Sequence, residues 1–387
     1  MKTTYTFLMA VALFFCACTP DKVAEMSREN FKDGAAQYKY MMKQLPDGVF
    51  PQTFENGEFK TSGSGWWCSG FYPGSLIYLY EQTKDDSLLT ETKRILEILK
   101  KEQYNTTTHD LGFMMYCSFG NMLSIDPKPE YKEILLNSAK SLSSRFSEKT
   151  GCIKSWDSRP EDYLVIIDNM MNLELLFWAT QETGDSTYYD IAVTHANTTM
   201  ENHFRSDYSS YHVLNYDSQT GKVKEKRTAQ GYADSSAWAR GQSWGLYGYT
   251  VVYRFTHDEK YLEQAKHIAE FILNHPNLPE DKIPYWDYDA PNIPNTKRDA
   301  SAGAVMGSAF LELAKYVDQE SADKYKATAK TIIETLSSPE YKAEIGTNGG
   351  FVLKHSVGHF DQGTEVDVPL TYADYYFFEA MKRYLEW

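Results

Sequence analysis

Two kinds of helical segment alternate along this chain, one almost free of charge and one charged on a single side, and few folds can house that alternation. Ser69 opens SGFYPGSLIYLYEQT, which is aromatic and nearly uncharged. Asp85-Asp86-Ser87 then leads into LLTETKRILEILKKE, whose apolar residues return at helical spacing. The alternation recurs as LGFMMYCSFGNML after Asp110 with a charged segment over 127–146, and as NMMNLELLFWATQ after Asp168 with TYYDIAVTHANTTM after Ser186. It continues with a segment after Ser235 followed by KYLEQAKHIAEFIL, then ASAGAVMGSAFLELAKY after Asp299 followed by ADKYKATAKTIIETL. An amphipathic segment over 23–45 and an apolar one over 369–385 complete the set. A helix apolar on all sides must be enclosed, whereas a one-sided helix covers a surface. Roughly six such pairs with short connections predict an inner ring of helices inside an outer ring, or else an open solenoid. The aromatic-glycine stretches over 66–74 and 371–379, near opposite ends of the chain, become neighbours if the ring closes, and closure is the expectation. Tyr131, Tyr188, Tyr261 and Tyr325 recur at equivalent places in four outer helices.

If inner helices all run one way, their N-termini share a rim. That rim receives Ser69, Asp110, Asp168, Asp234 with Ser235, and Asp299 with Ser301, together with the long loops over 49–65, 150–164, 203–233 and 274–298. Function gathers where long loops gather. A hairpin turning at Thr220-Gly221 is expected within 211–224. The 229–249 stretch, AQGYADSSAWARGQSWGLYGY, reads as a helix capped by Ser235 or Ser236. Its Gly241, Gly245 and Gly248 form a close-packing face, and Arg240 and Trp244 lie one turn apart. An arginine among aromatic rings suits a sugar acid: a platform and a fork for a carboxylate.

Composition narrows the classes. With 39 basic and 53 acidic residues the formal net charge is −14, which argues against nucleic acid as a partner. Residues 1–18, with Lys2 and an apolar run over 7–15, read as an export signal too short to span a membrane. Cys18 resembles a lipoprotein processing site, giving a periplasmic protein that is lipid-anchored or free. Residues 19–387 are expected to form one domain. Cys68, Cys117 and Cys152 remain, an odd number with no disulfide or metal spacing, and no P-loop, dinucleotide fingerprint or nucleophile elbow occurs.

Asp110 and Asp168 are the sharpest candidates for chemistry. Each could simply cap a helix, as Asp commonly does. Asp168, however, follows Leu164-Val165-Ile166-Ile167, an apolar setting that favours a protonated acid, and Asp110 supplies a second carboxylate on the same rim. His212 lies between tyrosines in a loop over the mouth. Of the adjacent Trp66 and Trp67, one is expected to face a cavity.

The segments WWCSGFYPGSLIYLYEQTKD, HDLGFMMYCSFGN, IIDNMMNLELLFWA, QGYADSSAWARGQSWGLYGY, DASAGAVMGSAFLELA and HSVGHFDQGTEVDVPLTYADYYFFEA together resemble the unsaturated glucuronyl hydrolases, glycoside hydrolase family 88. The resemblance runs through the whole chain after the leader. It implies an all-α fold, an (α/α)6 barrel of six inner and six outer helices. It also implies release of a terminal 4,5-unsaturated uronic acid from lyase-generated glycosaminoglycan oligosaccharides, by hydration of the C4=C5 vinyl ether. By the same resemblance Asp168 protonates C4 and activates water, and Asp110 holds ring hydroxyls. His212, Gln230, Arg240, Trp244 and Trp66 or Trp67 line the sugar site, with no metal or organic cofactor. The acidic Asp361, Glu365 and Asp367 in the C-terminal loop do not suggest a sulfate pocket. Weakly sulfated or unsulfated disaccharides of chondroitin, hyaluronan or heparin type are therefore expected. Two other readings stay open at this level: an unsaturated rhamnogalacturonyl hydrolase acting on pectin fragments, and a non-catalytic glycan-binding lipoprotein. No protein partner is inferred.

Overall fold

Where each helix can hide its apolar side chains decides its layer. The computed structural model describes residues 21–387; the export segment and Cys18 lie outside the described residues. Helix α1 (Lys22–Met42) is outer, α2 (Phe71–Thr83) inner and α3 (Asp86–Leu99) outer. A π-helical stretch, Gly112–Gly120, runs into α4 (Asn121–Ile125) on the inside, with α5 (Pro129–Ser143) outside it. A 3-10 turn, Ile167–Asn172, runs into inner α6 (Leu173–Thr183), followed by outer α7 (Ser186–Asn202). Then come α8 (Ala239–Thr256), α9 (Glu259–Asn274), α10 (Ala300–Leu313), α11 (Gln319–Leu336) and α12 (Thr371–Leu385), alternately inner and outer.

The burial pattern separates the layers. Every residue of α10 is buried, whereas α3 buries only Leu88, Thr92, Ile95, Leu96 and Leu99, a single helical stripe. Helix α12 packs against both α10 and α2, so the ring is closed. The seam is aromatic: Phe71 meets the rings of Tyr372, Tyr375 and Tyr376, and the Tyr78 and Tyr375 hydroxyls lie 3.1 Å apart. Three of the recurring outer tyrosines reach inward, Tyr131 to Phe119, Tyr261 to Tyr249 and Tyr325 to Phe310. In α7 it is Tyr189, not Tyr188, whose ring meets the inner Phe177.

The rim holds more β-structure than the sequence suggests. The loop expected over 49–65 is a hairpin, β1 (Phe50–Glu55) with β2 (Glu58–Ser62). A short pair, β3 (Phe146–Ser147) with β4 (Cys152–Ile153), precedes β5 (Asp162–Ile166). The expected hairpin is present as β6 (Val213–Asp217) and β7 (Val223–Arg227). Its turn is held by the Asp217 carboxylate, which accepts from the amides of Gln219 and Thr220. Strand β5 adds to it antiparallel, with Ile166 opposite Val213. The C-terminal loop is a further hairpin, β8 (Ser356–His359) with β9 (Thr364–Val368).

Helix α8 starts later than the capping residues suggest. It begins at Ala239 with Trp238 preceding it and no side-chain cap. Ser235 and Ser236 are drawn away because residues 236–239 are bound to the segment at 286–288. Tyr288 N donates to Ala237 O at 2.9 Å, Ala239 N donates to Trp286 O at 3.2 Å, and Ser236 Oγ donates to Asp287 at 2.7 Å.

At the opposite end of the barrel an ion network lines the axis. Arg254 meets Glu174 at 2.6 Å and Glu312 at 3.2 Å, and Arg383 meets Glu312 at 2.8 Å and donates to the Tyr247 hydroxyl at 2.9 Å.

The packing face expected from the α8 glycines is tightest at Gly248, where a Cβ would lie 2.5 Å from the Cβ of Met170; at Gly245 the nearest atom is 3.4 Å away, an ordinary contact. Met170 belongs to the turn that carries Asp168. Gly248→Ala is therefore expected to destabilise the protein by about 1–3 kcal/mol through overpacking, beyond what helix propensity returns. Chemical denaturation of both proteins measures this, and an unchanged midpoint would refute the close approach.

Candidate active site

Strand β5 delivers the chain into the site. Its pairing with β6 continues into a bond from Ile167 N to His212 O at 3.1 Å, which fixes the 3-10 turn at the strand end and with it Asp168. Asp168 does not cap a helix: the residue before the turn is Ile166, and no side-chain cap bond is present. Neither carboxylate oxygen of Asp168 has a hydrogen-bond partner; Oδ2 is sealed from solvent, and the slight remaining exposure of the side chain is at the mouth of a cavity of about 690 Å³. Burial raises its pKa to about 7, opposed by the nearby Arg240 charge and reinforced by Asp110.

Asp110 is likewise no cap. Its Oδ2 accepts from Thr108 Oγ1 at 2.7 Å and its Oδ1 lies 3.2 Å from His109 Nε2. His109 N donates to Ser155 O at 3.1 Å, and Thr108 bridges to Trp156, so the 150–164 loop fixes this corner. Asp110 and Asp168 line the same cavity.

His212 is buried, and the cavity does not reach its ring. Its Nδ1 accepts from the amides of Ala229 and Gln230 at 3.2 and 3.1 Å, which places the ring proton on Nε2, 3.8 Å from Asp168 Oδ2. Burial, with Arg240 and Arg227 adding positive charge, pushes its pKa well below the usual value, so the ring is neutral. It stacks on Trp238 at 4.2 Å.

Arg240 lines the cavity, but its fork is already occupied. Nη1 donates to Asp299 Oδ2 at 3.1 Å and to Val357 O; Nη2 donates to Gln230 Oε1 at 2.7 Å and to Gly358 O at 2.9 Å. The open carboxylate fork expected from the sequence is absent, because a buried cation collects acceptors from every side. The same four bonds position Gln230 from the 229–238 loop, Asp299 from α10 and the β8–β9 hairpin. The Asp299 carboxylate also accepts from Ser301 N and Val357 N.

Both Trp66 and Trp67 line the cavity. Trp66 is 47% exposed, a flap at the mouth, whereas Trp67 is half-buried against Phe71, Phe113 and Tyr372. Trp244 is not on the cavity wall. It is wholly buried, with its ring against Phe113 and Tyr376. It shares a helix face with Arg240 but lies one turn, about 6 Å, deeper along the barrel. Sequence reasoning missed Trp156, Tyr372, Gln52, Lys60 and His359 on the wall. Trp156, Gln52 and Lys60 sit in long rim loops and were findable on that ground, and Tyr372 lies in the aromatic-glycine stretch over 371–379. Of the three C-terminal acids only Glu365 lines the cavity, while Asp367 is taken by Lys297 and His355 at 2.6 Å each. Among the described residues no cluster of three or more His, Cys, Asp or Glu side chains is arranged to hold a metal ion.

The model of Glycosyl Hydrolase Family 88 matches residues 35–255. The unsaturated glucuronyl hydrolase of Formosa agariphila is 46% identical over 320 residues, covering 82% of this chain and 79% of that protein. The unsaturated chondroitin disaccharide hydrolase of Streptococcus pneumoniae is 36% identical, covering 87% and 86%. Among solved structures, an unsaturated glucuronyl hydrolase specific for heparin superposes with a TM-score of 0.91 at 47% identity, covering 94% of this chain and 97% of the other. A match through more than half of the chain, with full-length relatives at this identity, leaves one assignment: the chain is a glycoside hydrolase and belongs to family 88, the unsaturated glucuronyl hydrolases.

Proposed function

We propose that this protein removes the 4,5-unsaturated uronic acid from the end of glycosaminoglycan fragments, with Asp168 as acid and then base. The observation that carries the reading is a carboxyl group raised to about 7 with no hydrogen-bond partner at the cavity, beside a second carboxylate at Asp110. A vinyl ether needs a positioned proton and a water, and no protein nucleophile. Asp168 passes its proton to C4, and the C4=C5 electrons form the new C–H bond. The positive charge at C5 is shared with the ring oxygen, and water adds to C5 and gives a proton to the Asp168 carboxylate. The hemiketal opens by breaking the C5–ring oxygen bond. The remaining hemiacetal at C1 then releases the rest of the sugar and leaves an aldehyde and a C5 ketone. Asp110, with its bonded Thr108, faces the ring hydroxyls. Trp66 and Trp67 supply apolar faces, and Gln230 and the Arg240 charge lie on the carboxylate side. The similar proteins specific for heparin and for chondroitin disaccharides support a glycosaminoglycan substrate.

The Glu365 side chain on the wall, fixed by a 2.8 Å bond from Gln52, favours substrates with little sulfate. Export through residues 1–18 to the periplasm, with lipid attachment at Cys18, belongs to the same proposal; labelled palmitate should enter the wild-type protein and not Cys18→Ala.

Loss of the ultraviolet absorbance of the C4=C5 bond reads the reaction directly. Asp168→Asn is expected to abolish it with the fold intact, and retained turnover would sink the mechanism. Because the acid must start protonated, kcat/KM should fall as pH rises through about 7; a rate that keeps rising to pH 9 would contradict this. Across a panel of unsaturated disaccharides, unsulfated ones should turn over faster than 2-O-sulfated ones, and the opposite order would overturn the substrate preference. Activity on pectin-derived fragments alone would move the substrate class.

A further inference from the structure

Two of the buried polar atoms without partners belong to residues that act on one another. One is Asp168 Oδ2 and the other is Trp244 Nε1, a group that can only donate. Trp244 is entirely enclosed, its ring held between Phe113 and Tyr376, so the N–H cannot reach water. A donor left unpaired in such a place costs roughly what a lost hydrogen bond costs, and it calls for a reason. The two oxygens of Asp168 are also unequal. Neither is hydrogen-bonded, but only Oδ2 is sealed, so Oδ1 is the one that faces the cavity. On the sealed side, His212 Nε2, which carries the ring proton, stands 3.8 Å from Oδ2. The Trp244 side chain is near enough to the carboxyl to lower its pKa against the upward push of burial.

We propose that Trp244 is a positioning residue for the acid rather than a wall of the sugar cleft: its indole N–H, with His212 Nε2–H beside it, forms a dry cradle for the negative charge that appears on Oδ2 when Oδ1 gives up its proton to the substrate. The arrangement is preorganised for the charged state. In the resting, protonated acid the donors have little charge to bind, which accounts for the open 3.8 Å gap and the unpartnered indole. Once the proton has left, the charge on the oxygen that water never reaches has both donors at hand, and no solvent need reorganise. The other charged groups that act on Asp168 are Asp110 from the segment before the π-helical stretch and Arg240 on α8, and neither bonds it directly.

The inference rests on the proposed role of Asp168, and its test separates the two. In substrate-free wild-type protein labelled at the tryptophan indole nitrogen, the Trp244 N–H resonance, assigned by its loss in Trp244→Phe, should shift as pH passes through the Asp168 titration near 7. The same resonance should stay still in Asp168→Asn. A resonance that does not move between pH 5 and 9 in the wild type overturns the cradle, whatever the fate of the catalytic reading. In kinetics, Trp244→Phe should lower kcat about tenfold with little change in KM, the loss expected for one buried donor to a charged group. It should also move the alkaline fall of the rate upward by about one pH unit. A raised KM with an unmoved pH profile would return Trp244 to the cleft wall. The titration itself is read on wild-type protein, and Trp244→Tyr serves for the assignment where Trp244→Phe folds poorly.

Discussion

The mouth of this barrel is built around a buried cation. A guanidinium withdrawn from water must be surrounded by acceptors or it destabilises the fold by several kcal/mol. Arg240 finds them on three separate pieces of chain: Gln230 in the loop before α8, Asp299 at the start of α10, and the carbonyls of Val357 and Gly358 in the β8–β9 hairpin. Their common partner is what gives a rim of long loops a fixed shape. Asp287 does similar work for the same loop, accepting from Tyr232 N and Ser236 Oγ at 2.9 and 2.7 Å.

That neutralisation has an electrostatic result. An unscreened arginine close to Asp168 would hold the carboxyl ionised. With Asp299 bonded to it and two carbonyls pointing at it, the field that reaches Asp168 is reduced, and desolvation prevails. A pKa of about 7 is the outcome of that contest: high enough for a proton to be present, low enough for it to leave. His212 fits the same design. It is held neutral and with its proton on Nε2, so it brings a donor to the acid without bringing a charge.

The two layers were legible because helical periodicity is a property of many residues at once, and all-round apolar character has few other meanings. Asp168 was legible for a related reason. The apolar run before it is strand β5, and the dryness it predicts is the dryness that raises the acid. The rim was harder. Residues 49–65 and 355–368 are short, polar hairpins, each paired within itself, and the second bends at Glu365 and Asp367 with positive φ, positions with no glycine to announce them. Spacing placed Arg240 and Trp244 on one face correctly, but depth along the barrel axis is invisible to spacing. A helix that points down a well shows its first turn to the ligand and its second to the core. The capping reading of Ser235 and Ser236 failed for a different reason. Local sequence offered a good cap, and pairing with the chain at 285–288 outcompeted it.

The ion network of Arg254, Arg383 and their glutamates closes the far end of the barrel, and the aromatic layer of Phe71, Phe113, Trp244 and Tyr376 lies between it and the mouth. The cavity at the mouth shares no lining residue with the hollow at the far end. A well with one opening has a traffic rule that a groove lacks. Only the tip of a chain can enter it, so cutting proceeds from an end and never from the middle.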